Sequence, residues 1–125
     1  MEINELSIKV IGLAMKIHRE VGPGLLESAY ENALVYELKQ AELQVKQQLA
    51  LPFIYNEVKM DIGYRIDILV EDRLILEIKA IESLAPVHFA QTLTYVKLSN
   101  VRLGLLINFN CVILKENIHR IINGF

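Results

Sequence analysis

A mixed α/β (α+β) fold is predicted by two changes of hydrophobic period and by two breaks in the chain. Apolar residues recur every three or four positions up to residue 41, then every second position from 43 to 80, and a helical stretch and a strand follow Pro86. Gly22-Pro23-Gly24 divides the first stretch into two helices, and Glu71-Asp72-Arg73 divides the second into strands.

Each element has its own pattern. Ile3, Leu6, Val10, Leu13, Ile17 and Val21 form the apolar face of a first helix. A second helix over residues 25–41 carries Leu26, Tyr30, Leu34 and Leu38. Leu43, Val45, Leu49, Leu51, Phe53 and Tyr55 predict a strand in which Pro52 marks an edge or a bulge. Val58, Met60, Ile62, Tyr64, Ile66, Ile68 and Val70 predict a second strand, and Leu74, Leu76, Ile78 and Ala80 a third. Pro86 opens a third helix to about Leu98, because proline is tolerated in a first turn. Leu103, Leu105, Ile107 and Phe109 predict a fourth strand, while residues 111–122 receive no assignment. The order is α-α-β-β-β-α-β, a mixed sheet with a crossover helix before its last strand.

The chain's 125 residues suit one domain, 1–125. No apolar run approaches the roughly 18 residues of a membrane span, so no membrane partner is expected. The start Met1-Glu2-Ile3-Asn4-Glu5 is acidic where an export signal is basic. A single cysteine, Cys111, excludes an internal disulfide and fits the reducing cytoplasm. The net charge of −2 argues against gripping nucleic acid by bulk charge alone. Residues 64–125, with 7 basic and 6 acidic side chains, leave room for a local basic surface.

The hairpin over residues 58–80 is the most informative segment. A three-residue loop at 71–73 sets Val70 against Leu74, Ile68 against Leu76 and Ile66 against Ile78, which makes one face uniformly apolar. The same register sets Asp67 against Glu77 and Arg65 against Lys79, and like charges directly opposite repel. A divalent cation would relieve the acidic pair, since Mg²⁺ takes one or two carboxylates and keeps water and phosphate oxygens for the rest. Lys79 projects onto the same face, where it could position a water or offset phosphate charge. The competing reading is a solvated ladder of diagonal ion pairs, Asp67–Lys79 and Arg65–Glu77. It fits poorly with the apolar run Leu74-Ile75-Leu76-Glu77-Ile78-Lys79-Ala80.

Four blocks carry a resemblance. They are Gly24-Leu25-Leu26-Glu27-Ser28-Ala29-Tyr30; Tyr64-Arg65-Ile66-Asp67-Ile68-Leu69-Val70 with Leu76-Glu77-Ile78-Lys79-Ala80; His88-Phe89-Ala90-Gln91-Thr92-Leu93-Thr94-Tyr95; and Gly104-Leu105-Leu106-Ile107-Asn108-Phe109. In this order the chain resembles the GxxExxY family of small bacterial proteins, a branch of the PD-(D/E)XK nuclease-like superfamily, from about Ile11 to Ile122. The resemblance implies a restriction-endonuclease-like core, α-β-β-β-α-β, with the first helix as an addition. It implies that Asp67 and Glu77 bind Mg²⁺ (or Mn²⁺) with the Ile78 carbonyl, that Lys79 orients the attacking water, and that Glu27 joins the site. Gln91 and Tyr95 match a Gln-x-x-x-Tyr helix motif near such sites.

Other residues have bland readings of equal or greater weight. Glu27 is also a favourable acid in a first helical turn. Tyr30 continues the apolar stripe of its helix. His88 shares a face with Gln91 and Tyr95 and suits a base or phosphate contact, or simply an exposed first turn. His18 suits a helix C-terminus, and Cys111 a small buried apolar position. The leading expectation is a metal-dependent nuclease acting on nucleic acid, DNA before RNA. A non-catalytic binding or regulatory module on the same fold is the alternative, and a homo-oligomer with an apolar contact surface is a third option.

Overall fold

The computed structural model describes residues 1–61 and 63–124. Helix α1 spans Ile3–Val21 and α2 spans Glu27–Gln40. Glu2 opens α1 by accepting a 3.1 Å bond from the Asn4 amide, which satisfies one of the free N–H groups of the first turn. The turn between the helices needs Gly22 and Gly24, whose φ values of 67° and 104° are adopted at little cost only by glycine. Leu26, assigned above to the apolar stripe, is instead the residue preceding α2 and is 77% exposed. Tyr30, Leu34 and Leu38 are fully buried, as the helical period predicts.

The sheet has five strands in the order β1-β4-β5-β6-β7: β1 Val45–Leu51, β4 Tyr64–Val70, β5 Leu74–Lys79, β6 Leu103–Asn108 and β7 Ile118–Ile122. β5 and β6 run parallel, joined through α3, Pro86–Leu98; the other neighbours are antiparallel. The mixed α/β architecture and the crossover helix are those expected. The unassigned tail adds β7 as a fifth strand after a short 3-10 turn, Leu114–Asn117.

One assignment fails. Residues 58–70 do not form a single strand. β2, Ile54–Tyr55, and β3, Val58–Lys59, make a separate two-stranded hairpin. Asn56 and Glu57 turn it with φ values of 51° and 66°, the paired left-handed conformation of a tight hairpin. Two consecutive strands of one parity show the same alternation as one long strand, so periodicity could not separate them. Ile62, which the alternation placed in that strand, lies outside the described residues. The strand expected over 43–55 ends at Leu51, before Pro52; β1 is an edge of the sheet, where proline's missing N–H is tolerated.

Two apolar layers sandwich the sheet. Leu6, Val10, Ala14 and Ile17 of α1 pack with Tyr30, Leu34 and Leu38 of α2 against Ile68, Val70, Leu74, Leu76 and Ile78. On the other side Tyr95 and Val96 of α3 meet Ile66, Leu69 and Ile75. α3 approaches β6 closely at Gly104, where a Cβ would stand 2.8 Å from Val96 Cγ2. Among the described residues no helix is long and apolar enough to cross a membrane.

Candidate active site

The site forms where β4 and β5 part. Their ladder pairs Val70 with Leu74, Leu69 with Ile75 and Ile68 with Leu76, the register the loop length predicts. Among the described pairings it stops there, so Asp67 and Glu77 are not the cross-strand partners expected of a continued ladder. Their side chains take over its hydrogen bonds. The Asp67 amide donates to Glu77 Oε2 at 3.0 Å, and the Ile78 amide donates to Asp67 Oδ2 at 2.8 Å. Each carboxylate thus binds a backbone amide of the opposite strand where the recorded ladder ends. In an antiparallel pair the N–H and C=O of one residue point the same way. The Ile78 carbonyl therefore faces the same opening as its amide.

Burial dominates the electrostatics. Glu77 is 3% exposed, and its carboxyl is pushed up to about 8, first by burial and then by the neighbouring Asp67 charge. Asp67 is half-buried and pushed up to about 6, again mainly by burial, with Glu31 and Glu27 raising it further. Lys79 acts against both shifts, which places its charge within reach of the pair. The ladder of ion pairs with Lys79 and Arg65 is not formed; the carboxylates bind backbone amides instead.

The remaining residues weighed above lie in different places. Lys79, His88, Gln91 and Tyr95 line one cavity of about 490 Å³ beneath α3. Tyr95 is buried, and burial and the charges of Glu77 and Asp67 raise its hydroxyl pKa while the Gln91 side chain acts to lower it. His88 Nδ1 accepts a 2.8 Å bond from the Ala85 amide, so that nitrogen serves the helix start. Glu27, the first residue of α2, is exposed but close enough to influence Asp67. Arg65 is exposed and lines a neighbouring cavity with Lys59 and Tyr64. Tyr30 is buried in the core: its hydroxyl donates to the Gly22 carbonyl at 2.6 Å and accepts from the Leu25 amide at 3.2 Å, and its ring stacks on Phe109 at 4.5 Å. His18 Nε2 lies 2.9 Å from the Cys111 carbonyl, and Cys111 is half-buried.

Three contributors escaped the sequence reading. Glu31 is buried and accepts bonds from Gln47 Nε2 at 2.7 Å and from Gln48 Nε2 at 2.8 and 3.0 Å. Gln48 Nε2 also reaches Asp67 Oδ1 at 3.4 Å. Gln48 holds this position with φ 53° inside β1, a left-handed conformation costing roughly 1–3 kcal/mol in a residue other than glycine. The signal for Glu31 was present, since it stands four residues after Glu27 on one helix face. Asn108, at the end of β6, is the third. Its Oδ1 accepts from the Ile81 amide and its Nδ2 donates to the Ile81 carbonyl, both at 3.0 Å, which anchors the backbone just after Lys79.

Among the described residues, no three His, Cys, Asp or Glu side chains form a ready metal cage. The donor set nonetheless fits a hard divalent cation, for which two carboxylates and a backbone carbonyl suffice beside water and phosphate oxygens. Glu77, raised by burial and the Asp67 charge, and Asp67, raised by burial and the charges of Glu31 and Glu27, are both stabilised in their ionised forms by such a charge.

A family model described as the PD-(D/E)XK nuclease superfamily matches residues 4–121. No curated protein and no solved structure matches the chain. The matched span holds the whole five-stranded sheet except its last residue, and every site residue named above. The chain therefore belongs to the PD-(D/E)XK nuclease superfamily.

Proposed function

We propose that the protein is a metal-dependent nuclease that hydrolyses phosphodiester bonds of nucleic acid, DNA before RNA, and that it belongs to the GxxExxY branch of its superfamily. The observation that carries this reading is the end of the β4–β5 ladder, where a buried Glu77 and a half-buried Asp67 both feel the charge of Lys79. Asp67, Glu77 and the Ile78 carbonyl would hold Mg²⁺ or Mn²⁺, which would supply Lewis-acid polarisation of the phosphate and a more acidic water. Lys79 donates hydrogen bonds from Nζ to orient the attacking water and offsets the charge that grows on the phosphate. Gln91, on the rim of the same cavity, would hold a phosphate oxygen. Glu27 and Glu31 add negative charge that strengthens cation binding at Asp67. The single free thiol, Cys111, suits a cytoplasmic setting.

The test is thermal stability with and without millimolar Mg²⁺ or Mn²⁺, followed by a cleavage assay on labelled DNA and RNA. The wild type should gain melting temperature with the cation, and Glu77→Ala should not. Asp67→Ala should stay folded and lose cleavage. Nucleic-acid binding that persists in EDTA, with no cleavage under any metal, would replace catalysis by the binding-module reading.

A further inference from the structure

We propose that a groove from the β2–β3 hairpin, past Tyr64, to Lys79 binds an unpaired nucleic-acid strand, its bases against aromatic rings and its phosphates beside Lys59 and Arg65. This rests on the nuclease reading for the identity of the ligand, and names the form of substrate.

Rings connect the hairpin to the site. Phe53 lies 6.2 Å from Tyr55 and 5.8 Å from Tyr64, and Tyr64 lies 5.7 Å from Tyr95, centroid to centroid. Tyr95 in turn senses the charges of Glu77 and Asp67. Three cavities follow this row and Tyr64 lines all of them. One of about 600 Å³ holds Lys59 and Arg65, one of about 470 Å³ holds Phe53 and Met60, and the cavity of Lys79 and Gln91 is the third. The hairpin stands apart from the main sheet and leaves Ile54, Tyr55 and Val58 more than half exposed.

This chemistry selects base faces. A duplex hides its base faces in the stack and offers only phosphates and groove edges. A phosphate-only grip would need a strongly basic surface, whereas the chain carries net charge −2 and Asp61 lines the groove beside Lys59. Aromatic rings stack with any unpaired base, whatever its sequence. Lys59 and Arg65 supply the two cations needed to keep the backbone alongside.

The experiment is fluorescence anisotropy in EDTA, so that nothing is cut, using labelled oligo(dT), oligo(U) and oligo(dT) annealed to oligo(dA). Oligo(dT) should bind at least about tenfold tighter than the duplex. Phe53→Leu keeps apolar bulk without the ring, and Tyr55→Ala removes a side chain 59% exposed, so the fold does not depend on it. Each should weaken single-strand binding about 5- to 100-fold, the range for one lost stacked base. The oligo(U) arm decides whether the strand is DNA or RNA. Equal or tighter duplex binding, or single-strand affinity unchanged in both variants, overturns the proposal. Cleavage assays with Mg²⁺ or Mn²⁺ separate it from the nuclease reading. Metal-dependent cutting of duplex without single-strand binding sinks this inference alone, and single-strand binding without any cutting sinks catalysis alone.

Discussion

Asp67 and Glu77 exchange hydrogen bonds with each other's strand while burial favours the protonated form of both, helped at Glu77 by the Asp67 charge and at Asp67 by the charges of Glu31 and Glu27. The folded pKa values, about 6 and about 8, stand above the ordinary 3.8 and 4.5. From about pH 4 to about pH 8 the folded chain therefore binds more protons than the unfolded one. Its metal-free stability falls as pH rises through that window, by at most about 1.4 kcal/mol per pH unit for each group. Thermal melts in EDTA from about pH 5 to about pH 8.5 should show this decline, and Glu77→Gln should flatten its upper part. A wild-type profile that is level across the range would contradict the assignment. A divalent cation competes with those protons, so millimolar Mg²⁺ should raise the melting temperature more near pH 8 than near pH 5.

At the scale of elements, the site depends on how β5 and β6 end. Asn108 ties both polar groups of Ile81 to the end of β6, and the Phe109 amide donates to the Lys79 carbonyl at 2.8 Å. Asn108→Ala would leave the half-buried Ile81 amide and carbonyl without these partners, at a cost of about 1–3 kcal/mol. Chemical denaturation should read that loss, and the nuclease reading adds a fall in kcat larger than the rise in KM, because Lys79 loses its setting. Gly104→Ala should destabilise by about 1–3 kcal/mol through overpacking against Val96, again measured by denaturation. Most of the framework was readable beforehand, since loop length and apolar pairing set the β4–β5 register as far as Ile68 and Leu76. The ladder's opening was not, because whether a carboxylate or a carbonyl takes an amide proton depends on side-chain reach, which a pattern of apolar and polar letters does not encode. Asn108 was invisible for a similar reason: its partner Ile81 is distant in sequence and interacts through backbone atoms alone. The Gln48–Glu31–Asp67 cluster required the pairing of β1 with β4 and the left-handed turn at Gln48, neither of which periodicity reports.

For the whole molecule, charge decides how substrate can be held. The two layers of helices consume the apolar residues of both sheet faces, and polar chemistry is left to the end of the sheet where β4 and β5 separate. That end gathers the carboxyl groups of Glu27, Glu31, Asp67 and Glu77, so a nucleic acid meets repulsion there as they ionise unless a cation intervenes. On the proposed groove, attraction comes from Lys59, Arg65 and Lys79, which line two cavities that share Tyr64. Each phosphate neutralised on a single strand contributes about −0.7 to the slope of log affinity against log salt. Three cations therefore give a slope near −2 in EDTA, shallow for a nucleic-acid-binding protein. Lys59→Gln should reduce it by about 0.7 and leave the melting temperature unchanged, since Lys59 is exposed. Titrations at several salt concentrations measure both values. A slope steeper than about −4 would require a basic surface away from this groove, whereas a slope near −2 that shrinks with Lys59→Gln means that the strand follows the groove and that stacking carries the rest of the affinity.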